Sequence, residues 1–319
     1  TRNLIDKERI AVMKPGARII NCARGGLVEE TALLEALSSG HLAGAALDVY
    51  VKEPPADSPL LQLDNVVLTP HLGASTEEAQ QAVSVKIAEV IAKFLTTGEA
   101  ETAINLPRIS SEQFGLSKPY QVLAHSLGRL VGTLSSGPVT ELVVRLFGRV
   151  SELDPRPIST EAIVGLLGGW LPDRVNRVNA AHLAKARGIE TRVSQSEFSR
   201  DYLSLIEVIA VSGGKTTTVA GTLLGGRLPR LVRIGDYPVE AVPEGHFLFT
   251  HHHDRPGVVG ALGGILGREN INIQRMNVGS NEGATEAIAL ISISAPLSEL
   301  AMKEIRELPQ IIDAVEFTL

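Results

Sequence analysis

From residue 1 to about 105, short apolar runs alternate with segments of helical period. ARIINCA at 17–23, LAGAALDVY at 42–50 and NVVLT at 65–69 read as strands, and GLVEETALLEALSSG at 26–40 reads as an amphipathic helix closed by Gly40. Ser75 and Glu78 are spaced as a capping box that opens a long helix, TEEAQQAVSVKIAEVIAKFL. Alternating strands and helices imply a parallel sheet covered on both faces, and near-continuous apolar strands agree with that burial. The region 106–243 has a less regular rhythm. GRLVGTLSSGPVTELVVRLFG predicts a helix, a Gly-Pro turn and a strand, while PISTEAIVGLLGGWL and RVNRVNAAHLAKARG predict helices. LSLIEVIAVS, KTTTVAGTLL and PRLVRIGDYPVEAV follow as a strand meander with Gly-rich turns, giving an α+β region. The region 244–319 reads strand, helix, two strands across the turn SNEG, helix, strand. That order, βαββαβ, is the split ferredoxin-like unit.

Composition narrows the class. Charged residues make up 21% of the chain and the net charge is −6, which fits a soluble globular protein and argues against a nucleic-acid or anionic-membrane binder. No apolar run approaches the roughly 20 residues that span a bilayer. The single cysteine, Cys22, excludes internal disulfides and multi-cysteine metal sites and fits a reducing, cytoplasmic setting. The sequence opens on Thr1 without a signal-type segment and reads as the C-terminal piece of a longer chain.

In a parallel α/β sheet, ligands bind outside the carboxyl ends of the strands. Three strands of the first region run out into polar residues there: IINCAR at Arg24, GAALDVY through Asp48 towards Glu53, and VVLTPH at His71. The set suits a small anion. Arg24 offers a planar, permanently charged fork for a carboxylate. His71 can exchange a proton near neutral pH, and Glu53 could hold its other nitrogen. Gly25, Gly26 and Gly73 let backbone approach a ligand.

MKPGARIINCARGGLVEETALLEALSSGHLAGAALDVYVKEPP followed by NVVLTPHLGASTEEAQ closely resembles the D-2-hydroxyacid dehydrogenases over about the first 80 residues. The resemblance implies a partial Rossmann-like sheet that uses NAD, with Arg24 on the substrate carboxylate, His71 as acid/base and Glu53 as its partner. It implies that Asp48 contacts the nicotinamide carboxamide, and that Cys22, Ala23, Leu72, Gly73 and Ala74 line the nicotinamide pocket with Arg24 and His71. The family's G-x-G-x-x-G fingerprint is not found in these 319 residues in a strand–turn–helix setting, so the expectation is that they do not turn over by themselves. NAD versus NADP preference is for the same reason not legible.

The continuation narrows the resemblance. VNRVNAAHLAKARGI and RLPRLVRIGDY resemble the intervening domain of long-form D-3-phosphoglycerate dehydrogenases, and HDRPGVVGALGGILGRENINI resembles an ACT domain, an amino-acid-binding module. This implies 3-phosphoglycerate as substrate, L-serine as a possible effector and a homo-oligomer, a tetramer in the family. The implied serine residues are His252, Asp254 and Asn272; a helix N-terminus suits a carboxylate, and Asp254 suits an ammonium or, alternatively, merely caps the helix. Two motifs are set aside. HHH at 251–253 lies on a strand, so His252 points away from its neighbours, and no metal site is expected. SGGKTTT at 212–218 lacks the first glycine of a phosphate loop, Ile209 standing there, and reads as a hairpin turn. Arg227, Arg230 and Arg233 could form an anion site but read better as a solvated basic edge.

Overall fold

The computed structural model describes residues 1–319 except 101, 107, 108, 172, 173, 200, 281, 282 and 284, with Ser111 described in its backbone alone. The chain forms two compact units, Thr1–Gly98 and Glu99–Leu319.

The first unit opens with a short helix, α1 (Lys7–Ala11), capped by Asp6. Its sheet is built from β1 (Ala17–Asn21), β2 (Leu42–Leu47) and β3 (Val66–Leu68), all parallel and in the order β1-β2-β3. Helix α2 (Glu30–Ser38) crosses between β1 and β2 and buries Ala32, Leu33, Ala36 and Leu37 against Leu42, Ala45 and Leu47. Among the described residues, α2 covers this one face of the sheet. Ile20 is 74% and Val67 64% exposed on the other face. Helix α3 (Glu77–Thr97), which follows β3, buries no residue. The cap of α3 differs from expectation. The Thr76 hydroxyl, not that of Ser75, accepts the Ala79 N–H at 3.2 Å, while the Ser75 amide closes the preceding turn on Leu72 O. Gly98 then ends α3 in the left-handed conformation that helix C-termini favour.

In the second unit, α4 (Ser111–Leu134) and α5 (Pro155–Gly168) pack against a six-stranded sheet. Its strands are β4 (Val139–Gly148), β5 (Glu190–Ser196), β6 (Ser204–Ser212), β7 (Lys215–Leu224), β8 (Leu228–Ile234) and β9 (Tyr237–Ala241), in the order β5-β4-β6-β7-β8-β9. The meander β6–β9 is antiparallel as the sequence predicts, and Gly213 and Gly214, both at positive φ, make the β6–β7 turn. The helix predicted over 174–188 is confined to α6 (Ala180–Ala186). Asn176 and Asn179 stop it earlier. The Asn176 side chain accepts the Val178 and Asn179 amides, and Asn179 bonds Asn176 N and Arg174 O, a local network that competes with helical hydrogen bonds. Arg233 does not stand on a free basic edge: it pairs with the buried Glu207, which also takes Arg145 at 3.1 Å.

The last region is βαββαβ: β10 (His246–His253), α7 (Val258–Arg268), β11 (Ile273–Ser280), β12 (Glu286–Ile293), α8 (Glu299–Glu307) and β13 (Ile311–Thr318), with sheet order β11-β12-β10-β13. Its sheet is apolar on both faces. Leu248, Ala289, Ile291 and Ala314 pack under α7 and α8, while Phe247, Phe249, Leu290 and Phe317 join the core of α4, α5 and the six-stranded sheet. The period of two along β10 therefore ties the region 244–319 to the preceding one rather than leaving it as a separate bead.

Glu161 on α5 is buried between His125 and Arg177. Burial alone would raise its pKa, but the His125 and Arg177 hydrogen bonds and charges outweigh it and hold the carboxyl below its ordinary value. A carboxyl depressed in the folded state stabilises it above the unfolded pKa, and that stability disappears as pH falls through the folded value. The thermal stability of the wild type is thus expected to fall as pH drops below the ordinary carboxylate range. Glu161→Gln should flatten that dependence between neutral pH and pH about 3 in a melting series.

Candidate active site at the strand ends

The carboxyl ends of β1, β2 and β3 lie side by side. Asn21 is in register with Leu47, Leu47 with Leu68, and the Asp48 amide donates to Asn21 O at 3.0 Å. Asp48, Glu53 and His71 meet there. The His71 Nδ1 lies 2.8 Å from Glu53 Oε2, and Glu53 Oε1 accepts the Tyr50 amide at 3.1 Å. These bonds, first that of His71 and then that of Tyr50, hold the Glu53 carboxyl below its ordinary range, so it is ionised at neutral pH. With Nδ1 engaged by Glu53, the Nε2 of this exposed ring bonds nothing among the described residues.

Asp48 is buried. Its Oδ1 accepts the Thr69 hydroxyl at 2.6 Å and the Leu72 amide at 2.7 Å, and its Oδ2 accepts the Gly73 amide at 3.0 Å. Chiefly through the Thr69 bond and then that of Leu72, its carboxyl is held below the usual range. Arg24 follows β1 at the same end of the sheet, exposed, with Nη1 donating to Ala23 O at 2.7 Å. No hydrogen bond joins it to Glu53 or His71 among the described residues, so its fork is not tied into the carboxylate–histidine pair. Cys22, Ala23, Leu72, Gly73 and Ala74 are exposed around this end.

Sequence reading passed over three residues that build this site. Asn21 is buried and ties the Ala23–Arg24 turn, accepting Ala23 N and donating to Arg24 O at 3.1 Å each. Tyr50, also buried, has its hydroxyl 2.9 Å from both Leu47 O and Thr69 O. Thr69 supplies the shortest bond to Asp48. The signal that could have found them was polar atoms inside strand-end segments that a buried sheet must satisfy. Gly25 has a reason of its own: a Cβ there would fall 1.9 Å from Tyr50 O.

The three residues implied for serine are not brought together within one chain. His252 closes β10 opposite Ala287, which pairs with Ser280 at the end of β11. Asn272 precedes Ile273, which lies across from Ile293 and hence level with His246, the other end of the sheet. Six residues of strand separate the two ends, on the order of 20 Å. The His252 ring is enclosed, with Thr250 Oγ1 3.2 Å from its Nδ1, and burial pushes its pKa down. Asp254 does not cap α7. Gly257 occupies the N-cap position without a side-chain bond, and the Asp254 amide instead donates to Thr285 O. His251 lies 2.8 Å from Glu286, on the face opposite His252.

Residues 1–73 match the family described as D-isomer specific 2-hydroxyacid dehydrogenase, NAD binding domain. Residues 117–235 match the D-3-phosphoglycerate dehydrogenase intervening domain, and residues 246–310 the ACT domain. In its first 73 residues the chain is thus similar to the D-isomer specific 2-hydroxyacid dehydrogenases. Among curated relatives, the D-3-phosphoglycerate dehydrogenase of Synechocystis is 41% identical over 315 residues, covering 98% of this chain and 57% of its own length. That of Bacillus subtilis is 39% identical over 98% of this chain and 59% of its own, and that of Methanocaldococcus jannaschii 40% identical over 100% and 60%. Over its three matched regions in succession, the chain is similar to the long-form D-3-phosphoglycerate dehydrogenases. It spans a little under two thirds of the length of the relatives it matches.

Proposed function

We propose that these residues form the proton-transfer half of an NAD-linked active site that oxidises 3-phosphoglycerate to 3-phosphohydroxypyruvate, the step that opens L-serine synthesis. The observation that carries this reading is the His71–Glu53 pair at the carboxyl end of parallel strands, 2.8 Å apart, with Nε2 free of hydrogen bonds among the described residues. In it, Arg24 grips the substrate carboxylate with its guanidinium fork. His71 Nε2 takes the proton of the substrate hydroxyl, and the ionised Glu53 stabilises the imidazolium that results. NAD, when bound, supplies the acceptor for the hydride that leaves the same carbon. The residues at hand suit such a cofactor. Asp48 Oδ2 accepts one amide and keeps a lone pair for a carboxamide N–H, and Cys22, Ala23, Leu72, Gly73 and Ala74 border the same opening. In the reverse direction His71 returns the proton. A dehydrogenase for another 2-hydroxy acid would use the same groups. The test is substrate choice in an enzyme that joins residues 1–319 to the N-terminal part of the Synechocystis relative. It should oxidise 3-phosphoglycerate in preference to lactate and glycerate, and equal rates on all three would overturn the assignment.

The ACT region is proposed to bind L-serine between two copies of the chain, because one copy holds Asn272 and the His252–Asp254 corner at opposite ends of a sheet. A homo-oligomer, a tetramer by resemblance, follows from that reading. Calorimetric titration of L-serine into the chain should show saturable heat that Asn272→Ala abolishes; a flat titration would reduce the region to assembly or to another effector. The described residues contain no helix long and apolar enough to cross a membrane, and a cytoplasmic setting is proposed with the function.

A further inference from the structure

Within the proposed function, and resting on His71 being its acid/base, we infer that Thr69 is a positioning residue: its hydroxyl sets the Asp48 carboxylate, which in turn holds the His71 backbone and aims the imidazole. His71 has φ 57°, one of three positive-φ residues other than glycine among those described. Such a backbone persists only where surrounding bonds over-determine it. Asp48 supplies those bonds on both sides of His71. It takes the hydroxyl of Thr69, two residues before, and the amides of Leu72 and Gly73, one and two residues after. A single buried carboxylate thus spans the Thr69–Gly73 turn.

Thr69 is itself gripped at three points. Its amide donates to Leu47 O at 3.0 Å, its carbonyl lies 2.9 Å from the Tyr50 hydroxyl, and its own hydroxyl reaches Asp48 at 2.6 Å. The Tyr50 hydroxyl, with one hydrogen to share between Leu47 O and Thr69 O, ties the ends of β2 and β3. The Tyr50 amide meanwhile holds Glu53, the partner of the His71 ring. Backbone and ring of His71 are therefore referenced to the same strand end by two routes, one through Thr69 and Asp48, the other through Tyr50 and Glu53. Without the Thr69 hydroxyl, Asp48 Oδ1 loses its shortest donor. The carboxylate can then rotate about its bond to the chain, loosening its hold on the Leu72 and Gly73 amides. Glu53 still bonds Nδ1, so the histidine is retained but misaimed.

This role separates from simple satisfaction of a buried carboxylate by what it moves. In the joined full-length enzyme described above, Thr69→Val should lower kcat by about 10- to 100-fold while KM stays within about threefold, the pattern of a misplaced group rather than lost binding. Thr69→Ser, which keeps the hydroxyl, should remain within about threefold of wild type. In the 319-residue chain, hydrogen exchange should show the Leu72 and Gly73 amides losing protection in Thr69→Val while Leu127, in the core of the second unit, is unchanged. If Thr69→Val does not fold, Tyr50→Phe tests the same lock by removing one hydroxyl, with a smaller fall in kcat and KM unmoved. Thr69→Val turnover within about twofold of wild type, or Leu72 and Gly73 protection untouched, overturns the inference. His71→Ala separates the two levels: if it abolishes turnover while Thr69→Val does not, the lock alone is wrong. If His71→Ala turns over normally, the reading beneath it is wrong as well.

Discussion

Replacing His71 by alanine is expected to lower kcat on 3-phosphoglycerate by about 10³-fold with KM changed only a few-fold, since a positioned acid/base typically contributes 10²–10⁴. The split follows from where the side chain acts. Its Nδ1 is occupied by Glu53 at 2.8 Å, so under the proposed function the work falls to Nε2, which would meet the reacting hydroxyl rather than the substrate's carboxylate or phosphate. Glu53→Gln should retain more activity than His71→Ala, because it keeps a hydrogen-bonding group beside Nδ1 and loses only the charge that steadies the imidazolium. Steady-state kinetics of the joined enzyme over pH check both. Activity of His71→Ala within tenfold of wild type would place the proton transfer elsewhere.

The second large effect is on stability and falls on the crossing of α4 and α5. A Cβ on Gly128 would lie 2.0 Å from Ala162 O, and one on Gly165 would lie 2.0 Å from His125 O. Both partners are backbone atoms, so no rotamer change relieves the clash and the helices must separate. They would pull apart a core that includes the fully buried Leu123, Leu127, Leu130 and Leu166. Alanine gains about 1 kcal/mol over glycine in a helix interior. Overpacking, together with the looser core that separation leaves, costs about 3 kcal/mol or more, so Gly128→Ala and Gly165→Ala should each destabilise the chain by about 2–4 kcal/mol net. Trp170, the single tryptophan, follows α5 and reports on this region in a urea titration read by fluorescence. Gly263→Ala on α7 is the control, because nothing lies within 4 Å of its Cβ position; it should be neutral or slightly stabilising. Equal behaviour of all three variants would show that the close crossing is not what sets stability there.

The three stretches of different rhythm, the parallel arrangement of β1–β3, the β6–β9 meander and the βαββαβ end are all legible in the pattern of apolar positions. The apolar side chains that carry these patterns are for the most part the ones that become buried, Ile20 and Val67 being exceptions. Where local side-chain chemistry competes with the period, reading the pattern misleads. Asn176 and Asn179 shorten a helix that its apolar spacing extends, and Thr76 rather than Ser75 caps α3 because its hydroxyl is the one that reaches the Ala79 amide. β5 escaped notice because none of its residues is buried. Its strand is held by the β4 ladder and by the Gln195 side chain, which donates to Ser151 O and Leu153 O.

At the candidate site, His71, Glu53, Asp48 and Arg24 could be picked out because polar residues interrupt apolar strand ends at one edge of a parallel sheet. Chain periodicity also assigns His252 to the face opposite His251. What the sequence alone determined, then, is which residues share a face or a strand end, since that depends only on spacing along one element. Only the tertiary structure decided which atoms meet. It directs the Asp48 carboxylate onto Thr69, Leu72 and Gly73, brings Glu53 to Nδ1 of His71, and leaves Arg24 outside that pair. It also places Asn272 and His252 at opposite ends of one sheet, although they lie only 20 positions apart in the chain. The physical reason is that hydrogen-bond partners are set over 2.5–3 Å by strand register and turn geometry. Those are properties of several segments packed together, which no single segment's pattern encodes.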